Sequence, residues 1–275
     1  MAADEYVVRF PTLGFLASDW MEAHCIIPDG FRKGHPFVPY DWQLWCTVNH
    51  YRVKPSAQLG QLAPAFHNRR SQIVAPQKTG KGPWSATLTC NEAVGPAVFN
   101  GWAGKDDGYA CSDWGCSCGW EWPYEKGEPM GRPWPTPLIQ LLATSEDQVA
   151  NIYRPLQAMA KHGPLSDLMR VGEEFIRLPN DGRIDAVTAS ATARLGNPIT
   201  FAFQDESGLY TKSNKMIRVA ETQRRGAAGM GGRTIETTNA WDPSEDSVAQ
   251  RTAESQRPDI FRHHRIPPAH LSYKN

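Results

Sequence analysis

Hydrophobic positions along the chain fall into two spacings, one typical of strands and one typical of helices. Short apolar or β-branched runs occupy residues 70–75, 137–143, 198–203 and 233–238. Runs of this length, bounded by polar segments, predict buried strands. Residues 145–162 instead carry apolar side chains at helical spacing after a Ser cap and an acidic first turn. Strands that alternate with helices predict an α/β fold, a mostly parallel sheet with helices on both faces.

Further elements follow from the same two spacings. In "DWQLWCTVNHYRV" (41–53) Trp42, Trp45 and Val48 recur at helical spacing and predict an amphipathic helix. The runs "EEFIRL" (173–178) and "RIDAVTA" (183–189) flank the turn "PNDG" and predict a hairpin or two neighbouring short strands. Other helices are predicted within "GFLASDWMEAH", "WSATLTCNEAV" and "NKMIRVAETQRRG".

Composition divides the chain into unequal parts. Residues 1–39 predict an irregular arm, rich in Pro and Gly, that packs on the domain formed by residues 40–256. Within that domain, residues 101–137 interrupt the alternation with Gly, Pro, Cys and Trp and predict an insertion between the first helix and the second strand. Residues 257–275 are interpreted as a C-terminal linker.

Charge and cysteine usage narrow the class of protein. The 275 residues include 29 Lys plus Arg and 29 Asp plus Glu, so any contact with nucleic acid must use a local patch. The N-terminus lacks a basic segment followed by a long apolar stretch, and no long apolar run follows, which argues against secretion and membrane spanning. A cytoplasmic location is expected. The six cysteines then favour reduced thiols or a metal site over disulfides.

The segment "APQKTGKG" (75–82) has the pattern of a phosphate-binding loop between a strand and a helix. Such a loop needs Gly where the backbone approaches phosphate, a Lys for the β- and γ-phosphates, and usually Ser or Thr for Mg²⁺. Gly80 and Lys81 fit, whereas Ala75 replaces the first Gly and Gly82 replaces the hydroxyl residue. The alternative is an ordinary turn between a strand and a helix.

Two adjacent carboxylates end the strand in "PITFAFQDES". This arrangement is typical of triphosphatases, in which the first, Asp205, holds Mg²⁺ and the second, Glu206, polarises the attacking water. The alternative is a solvated strand end that caps the next helix. Thr237, Thr238 and Asn239 end another predicted strand, where they would contact the γ-phosphate or the attacking water, or else form a simple turn.

Four segments between about residues 37 and 256 resemble, in their order, the ATPase domain of the large terminase subunit of tailed bacteriophages. They are "PFVPYDWQLW", "APQKTGKG", "ITFAFQDES" and "TTNAWDPSEDSVAQRT". The resemblance implies a P-loop NTPase fold of the RecA/ASCE type that uses ATP and Mg²⁺. It implies a motor that translocates double-stranded DNA into a procapsid in the cytoplasm of an infected bacterial host. Its partners would be the capsid portal, the small terminase subunit and further copies of the chain in a homo-oligomeric ring.

The resemblance also implies roles for individual residues. Gln43 would read the adenine edge, Asp205 would hold Mg²⁺, and Glu206, Lys81, Thr238 and Asn239 would serve catalysis and its coupling to movement. The residues expected to contact the nucleotide are Gln43, Pro76, Gln77, Lys78, Thr79, Gly80, Lys81 and Gly82.

Three departures from the family pattern matter. Many terminases have an arginine in the phosphate-binding loop, where this chain has Gln77 and Lys78, and Lys lacks the fork geometry of Arg. A neighbouring subunit would then supply it, with Arg218, Arg224 and Arg225 as candidates; the alternative is a solvated basic helix face. Gly82 implies weaker Mg²⁺ binding. Full terminases also carry a nuclease domain of the ribonuclease H type, which is expected to be absent here.

Cys111, Cys116 and Cys118 form a cluster with two alternative readings. Three thiolates would bind zinc if a fourth ligand, for example Asp113, completed the set. Alternatively, the cysteines are small apolar residues that pack within a Trp-rich insertion. The tryptophans of this region would form a contact surface for a capsid partner or DNA in a further reading; they are Trp114, Trp120, Trp122 and Trp134.

Two other functions compete with the motor. One is a nucleic-acid-binding scaffold that binds nucleotide without hydrolysis, motivated by Ala75, Gln77 and Gly82. The other is a different P-loop triphosphatase, of helicase or kinase type. A helicase usually needs a second similar domain, and a kinase needs an acceptor pocket that the sequence does not reveal.

Overall fold

An eight-stranded sheet forms the centre of the protein in the computed structural model, which describes residues 6–172, 175–188 and 197–264. In chain order, the strands of the molecule are β1 (Arg70–Val74), β2 (Val98–Trp102), β3 (Gly108–Ala110), β4 (Glu121–Pro123), β5 (Pro129–Arg132), β6 (Leu138–Leu142), β7 (Arg170–Val171), β8 (Phe175–Arg177), β9 (Arg183–Val187), β10 (Phe201–Gln204), β11 (Arg233–Thr238) and β12 (Ile260–His264). The helices are α1 (Gly14–His24), α2 (Asp41–His50), α3 (Lys81–Val94), α4 (Glu146–Lys161), α5 (Met216–Gly229) and α6 (Val248–Glu254).

The strand order in the main sheet is β12-β1-β11-β10-β6-β9-β8-β7. The first six strands are parallel to one another, and β8 and β7 extend the edge in antiparallel fashion. The predicted α/β fold with a mostly parallel sheet is confirmed. The predicted hairpin corresponds to β8 and β9, while residues 173, 174 and 189 of its runs lie outside the described residues.

Helices cover both faces of the sheet, as the alternation along β10 demonstrates. Successive side chains of a strand point to opposite faces. Phe201 and Phe203 belong to the large core that includes α3 and α4, whereas Ala202 between them packs with Ala227 of α5. The strand begins at Phe201, three residues later than its apolar run predicts. Of the helices in the described residues, none combines the length and apolar character that crossing a membrane requires.

Part of the predicted C-terminal linker belongs to the main sheet. β12 pairs with β1 in parallel, from Arg70 opposite Ile260 to Val74 opposite His264. The run "DIFRHH" is short and polar, so its strand character depends on a neighbouring strand that lies far away in sequence. The interpretation of residues 260–264 as linker is therefore wrong, and residues 265–275 lie outside the described part of the chain.

The N-terminal segment packs against the domain through α1. Trp20 and Met21 of α1 are almost completely buried, and the first five residues lie outside the description. A Cβ atom on Gly14 would lie 2.3 Å from Val48 Cα, so the close contact between α1 and α2 requires glycine. The segment predicted as an insertion forms two small antiparallel sheets, β2 with β5 and β3 with β4.

A buried charged network joins α2, α3 and the start of β11. The Arg233 guanidinium contacts Glu92 Oε1 over 3.2 Å and donates to His50 O over 2.5 Å. It also lies 3.8 Å from the centre of the Phe66 ring. Tyr51 donates its hydroxyl proton to the same Glu92 oxygen over 2.7 Å. Buried charges of this kind persist because each is paired and hydrogen-bonded.

Candidate functional site

The predicted phosphate-binding loop lies between the carboxyl end of β1 and the start of α3. Gly80 caps α3 with a φ of +90°, a left-handed conformation that glycine adopts without steric cost. A Cβ atom there would lie 3.0 Å from Gln43 Nε2. Thr79 Oγ1 donates to Pro76 O over 2.8 Å and closes the loop. The first N–H groups of a helix have no partner within the helix, so those at the start of α3 can face an anion.

Gln43 connects the aromatic segment before the loop to the loop itself. Its Oε1 accepts a hydrogen bond from the backbone N–H of Tyr40 over 2.8 Å, and its Nε2 donates to Gly80 O over 3.1 Å. The side chain is completely buried. These contacts hold the start of α2 against the loop, while adenine recognition by Gln43 stays a prediction.

Lys81 lies at the centre of the site. Its Nζ donates to Ala75 O over 2.5 Å, to Pro76 O over 3.2 Å and to Asn239 Oδ1. Burial lowers the pKa of the Lys81 ammonium, and the charges of Glu206 and Asp205 oppose that shift. The ammonium is thus surrounded at close range by neutral oxygens, with its counter-charges slightly farther away.

Asp205 follows the last residue of β10 and is 8% exposed. Its Oδ1 accepts a hydrogen bond from Thr237 Oγ1 over 2.6 Å. Burial raises the pKa of the Asp205 carboxyl, against the opposing effects of the Thr237 hydrogen bond and the Lys81 charge. A partly buried carboxylate beside an ammonium is a suitable oxygen ligand for Mg²⁺.

Glu206 has a left-handed backbone, with φ +53° and ψ +46°, a conformation that costs a residue with a Cβ roughly 1 kcal/mol or more. Its Oε1 accepts from Asn239 Nδ2 over 3.0 Å, and its Oε2 accepts from Asn239 N over 3.4 Å. Burial and the neighbouring charge of Asp205 raise the pKa of the Glu206 carboxyl. The strained backbone and the two contacts with Asn239 fix where the carboxylate points.

Thr238 connects the end of β11 to the turn after β10. Its Oγ1 donates to Ala240 O over 2.9 Å and accepts from the backbone N–H of Gly208 over 3.2 Å. Thr238 is completely buried. The hydroxyl therefore holds two loops together, and a direct catalytic contact stays a prediction.

The donor set suits a triphosphate with Mg²⁺. Burial disfavours the ionised form of Lys81, Asp205 and Glu206 alike, so each charge lacks part of the counter-charge that it needs. Phosphate oxygens would compensate the ammonium, and Mg²⁺ would compensate the carboxylates. Asp205 and Glu206 follow the end of β10, and Lys81 follows the loop after β1. Open α/β sheets bind ligands at this edge of the parallel strands.

Gly82, which replaces the usual hydroxyl residue, lies against α4. A Cβ atom at this position would approach Asn151 O to 3.1 Å, tighter than ordinary van der Waals contact. Glycine at position 82 thus allows α3 to pack closely on α4. The local sequence does not reveal this packing.

Of the three candidate trans-acting arginines, Arg224 has partners within its own chain. Its Nε donates to Gln204 Oε1 over 3.1 Å, and its guanidinium pairs with Glu236 over 3.2 Å. α5 turns this side chain toward the sheet, and a role of Arg224 in a neighbouring subunit stays a prediction. Arg218 and Arg225 are exposed, and their role stays a prediction.

The structure brings Cys111, Cys116 and Cys118 together with His24 at the end of α1. Asp113, proposed from the sequence as the fourth ligand, is exposed and is not a member of this group. Sequence reasoning missed His24 because it precedes Cys111 by 87 residues. Of the predicted tryptophan surface, Trp114 is 41% exposed, whereas Trp120, Trp122 and Trp134 pack against the core.

Comparison with known proteins gives relatives from bacteriophages. The Gene 13 protein of Mycobacterium phage D29 is 26% identical over 222 residues, which cover 78% of this chain and 33% of that protein. The Gene 13 protein of Mycobacterium phage L5 is 25% identical over 224 residues, with the same coverage of 78% and 33%. The chain spans about one third of the length of these curated relatives. No protein-family model matches the chain.

Among solved structures, the crystal structure of the HK97 bacteriophage large terminase is similar over 95% of this chain and 45% of that chain. The TM-score is 0.66 at 17% sequence identity. At this identity the similarity concerns the fold, a mostly parallel sheet with helices. The chain therefore has the fold of the matching part of a bacteriophage large terminase, which confirms the resemblance that the four sequence motifs predict.

Proposed function

We propose that the chain is the ATP-hydrolysing motor domain of a viral DNA-packaging terminase. The observation that carries the proposal is the position of Asn239, whose amide contacts both Lys81 of the loop and Glu206 after β10. A turn that merely ended a strand would not need to link the loop lysine with a buried, strained carboxylate. The alternative readings of the separate motifs as ordinary turns do not account for this convergence.

Each residue of the site then has a distinct role. The backbone N–H groups at the start of α3 and the Lys81 ammonium bind the phosphates of ATP. Asp205 would hold Mg²⁺, and the Thr237 hydroxyl orients the Asp205 carboxylate. Glu206 accepts a hydrogen bond from the attacking water and orients it, while Asn239 fixes the carboxylate. When bound, Mg²⁺ would supply positive charge that offsets the charge on the phosphates.

Coupling to movement would use the same contacts. Lys81 donates to Asn239, so a change in the contacts of Lys81 with phosphate alters the support of Glu206. Thr238 extends the connection to Gly208 in the turn that follows Glu206. We propose that these loops are the two-state element that the γ-phosphate biases.

The proposed partners are double-stranded DNA, the capsid portal and the small terminase subunit, in the cytoplasm of an infected bacterial host. We propose that active copies form a ring, because the loop carries Gln77 and Lys78 where an arginine would stabilise charge in the transition state. A neighbouring copy would contribute the missing arginine, with exposed Arg225 or Arg218 as the candidates.

The test is Mg²⁺-dependent ATP hydrolysis across a wide range of protein concentrations, with and without double-stranded DNA. Turnover per chain is expected to rise with concentration and to vanish in Glu206→Gln, which keeps the size of the side chain. Glu121→Gln changes an exposed glutamate of β4 and serves as the matched control. ATP binding without turnover at every concentration, unaffected by DNA, would instead support a non-hydrolysing scaffold.

A further inference from the structure

A second site lies outside the nucleotide site, at the end of α1. His24 is the last residue of α1, and Cys111, Cys116 and Cys118 belong to the turn and loop between β3 and β4. The four ligand atoms all lie within 4.8 Å of one another. We propose that this His24–cysteine cluster binds one Zn²⁺ ion, which ties α1 to the insertion.

The spacing of the ligand atoms matches a tetrahedral zinc site. His24 Nε2 lies 3.3 Å from Cys111 Sγ, 3.7 Å from Cys116 Sγ and 3.2 Å from Cys118 Sγ. Zinc–sulfur bonds of about 2.3 Å and zinc–nitrogen bonds of about 2.0 Å at tetrahedral angles place N and S about 3.5 Å apart. The observed distances lie on both sides of this value, so a zinc ion fits with small side-chain adjustments.

The tautomer of His24 is fixed for metal binding. Its Nδ1 lies 2.7 Å from Trp20 O, and because a carbonyl oxygen only accepts, Nδ1 must carry the proton. In the neutral ring Nε2 then carries the lone pair, and Nε2 is the atom that faces the three sulfurs. The ring stacks on Trp20 at 4.2 Å. A backbone carbonyl that orients a histidine in this way is the usual support of a zinc ligand.

The loop that carries the cysteines is shaped to bring the sulfurs together. Gly115 has a φ of +82° and reverses the chain, and the N–H of Cys116 then donates to Cys111 O over 3.1 Å. The backbone N–H of Trp120 lies 3.3 Å from Cys118 Sγ, where it would stabilise a thiolate. A disulfide would engage only two of the sulfurs and would not explain why the imidazole faces all three.

The chemistry of the four ligands favours zinc over other metals and a structural over a catalytic role for the ion. Three thiolates with one imidazole is a set that structural zinc sites use, whereas Mg²⁺ prefers oxygen ligands. Four protein ligands leave no open position for a substrate. The metal would hold the loop between β3 and β4, which form a sheet of two three-residue strands. It would also hold α1, which packs on α2.

The test measures metal in the full chain, expressed with zinc and purified with a thiol reductant and without chelator. Elemental analysis is expected to find equimolar zinc. Replacement by Co²⁺ is expected to give the absorption of a tetrahedral ion with three thiolate ligands. Both measurements use the unaltered protein, so they do not depend on the folding of a variant. Zinc at background level, or a cobalt spectrum without thiolate bands, would overturn the proposal.

Variants then locate the site. Cys118 is the exposed cysteine of the cluster, so Cys118→Ser disturbs packing least and is expected to lose most of the bound zinc. Cys46→Ala removes a buried thiol outside the cluster and is expected to keep equimolar zinc. Equal zinc contents in these two variants would also contradict the proposal. Neither cysteine belongs to the nucleotide site, so loss of zinc and loss of ATP binding are separate outcomes.

Discussion

Asn239 Nδ2 donates a hydrogen bond to Glu206 Oε1 over 3.0 Å, which links the residue after β11 to the second residue after β10. Asn239 Oδ1 accepts from Lys81 at the same time. One strand end thus contacts both the cation of the loop and the carboxylate that we propose for water activation. The Thr237 hydroxyl adds a parallel link to Asp205 over 2.6 Å.

Replacement of Asn239 is expected to slow hydrolysis more than it weakens nucleotide binding. Asn239→Ala removes both contacts of the side chain, so Glu206 keeps only the longer contact with the backbone N–H of residue 239. Misplacement of the carboxylate costs on the order of 10²-fold in kcat. Steady-state hydrolysis and nucleotide binding are measured on the same preparation. Gln256→Ala removes an exposed amide at the end of α6 and serves as control. Unchanged kcat in Asn239→Ala would contradict the proposed role.

Asp205→Asn is expected to stabilise the nucleotide-free protein at neutral pH while abolishing Mg²⁺-dependent turnover. Burial raises the pKa of the Asp205 carboxyl, so its ionised form costs stability at neutral pH, and that cost disappears as the pH falls and the carboxyl is protonated. Asn keeps an oxygen that can accept from Thr237. The gain in free energy of unfolding should be about 0.5–2 kcal/mol.

Urea unfolding at several pH values checks the Asp205 prediction. The gain should be largest near neutral pH and should vanish below about pH 4, where aspartate is protonated in the unfolded chain as well. Asp29→Asn, at an exposed aspartate, serves as the matched control. A gain that is independent of pH would indicate that the charge of Asp205 is not its cause.

The sequence predicts the elements whose signals are local. β1, α3 and β11 each combine a regular apolar pattern with polar residues at one end, so the pattern predicts whether each is a strand or a helix. Parallel strands end at the same edge of a sheet, so their polar ends are expected to lie together. The order of the motifs therefore predicts that four side chains lie close together, those of Lys81, Asp205, Glu206 and Asn239. The roles of single residues within that group stay predictions.

Features that depend on contacts between residues far apart in the sequence could not be predicted from the sequence. β12 is polar and becomes a strand only because β1 offers an unpaired edge. His24 joins the cysteines through a turn 87 residues later. Arg224 looked like a surface residue in the sequence, yet it pairs with Glu236 of β11. In each case the partner determines the structure, and no local spacing identifies the partner.

Gly82→Ser is expected to destabilise the protein without improving Mg²⁺ affinity. The new Cβ would lie 3.1 Å from Asn151 O, so α3 and α4 must separate slightly, and overpacking of this kind costs about 1–3 kcal/mol. Gly229→Ser in α5 introduces the same side chain where no atom lies within 4 Å and should be nearly neutral. Urea unfolding and Mg²⁺ titration of hydrolysis check both variants. Tighter Mg²⁺ dependence with unchanged stability would show that the packing argument is wrong.

Arg233→Met is expected to destabilise the protein strongly, because it leaves the Glu92 carboxylate buried without its strongest partner. Removal of one member of a buried pair costs about 3–5 kcal/mol, although Tyr51 continues to donate to Glu92. Arg257→Met removes the same group from an exposed pair with Asp259, at 2.9 Å, and should cost less than about 1 kcal/mol. Urea unfolding compares the two directly. A large difference in the loss of unfolding free energy would attribute the effect to burial. Similar losses in both variants would mean that the buried pair does not stabilise the junction of α2, α3 and β11.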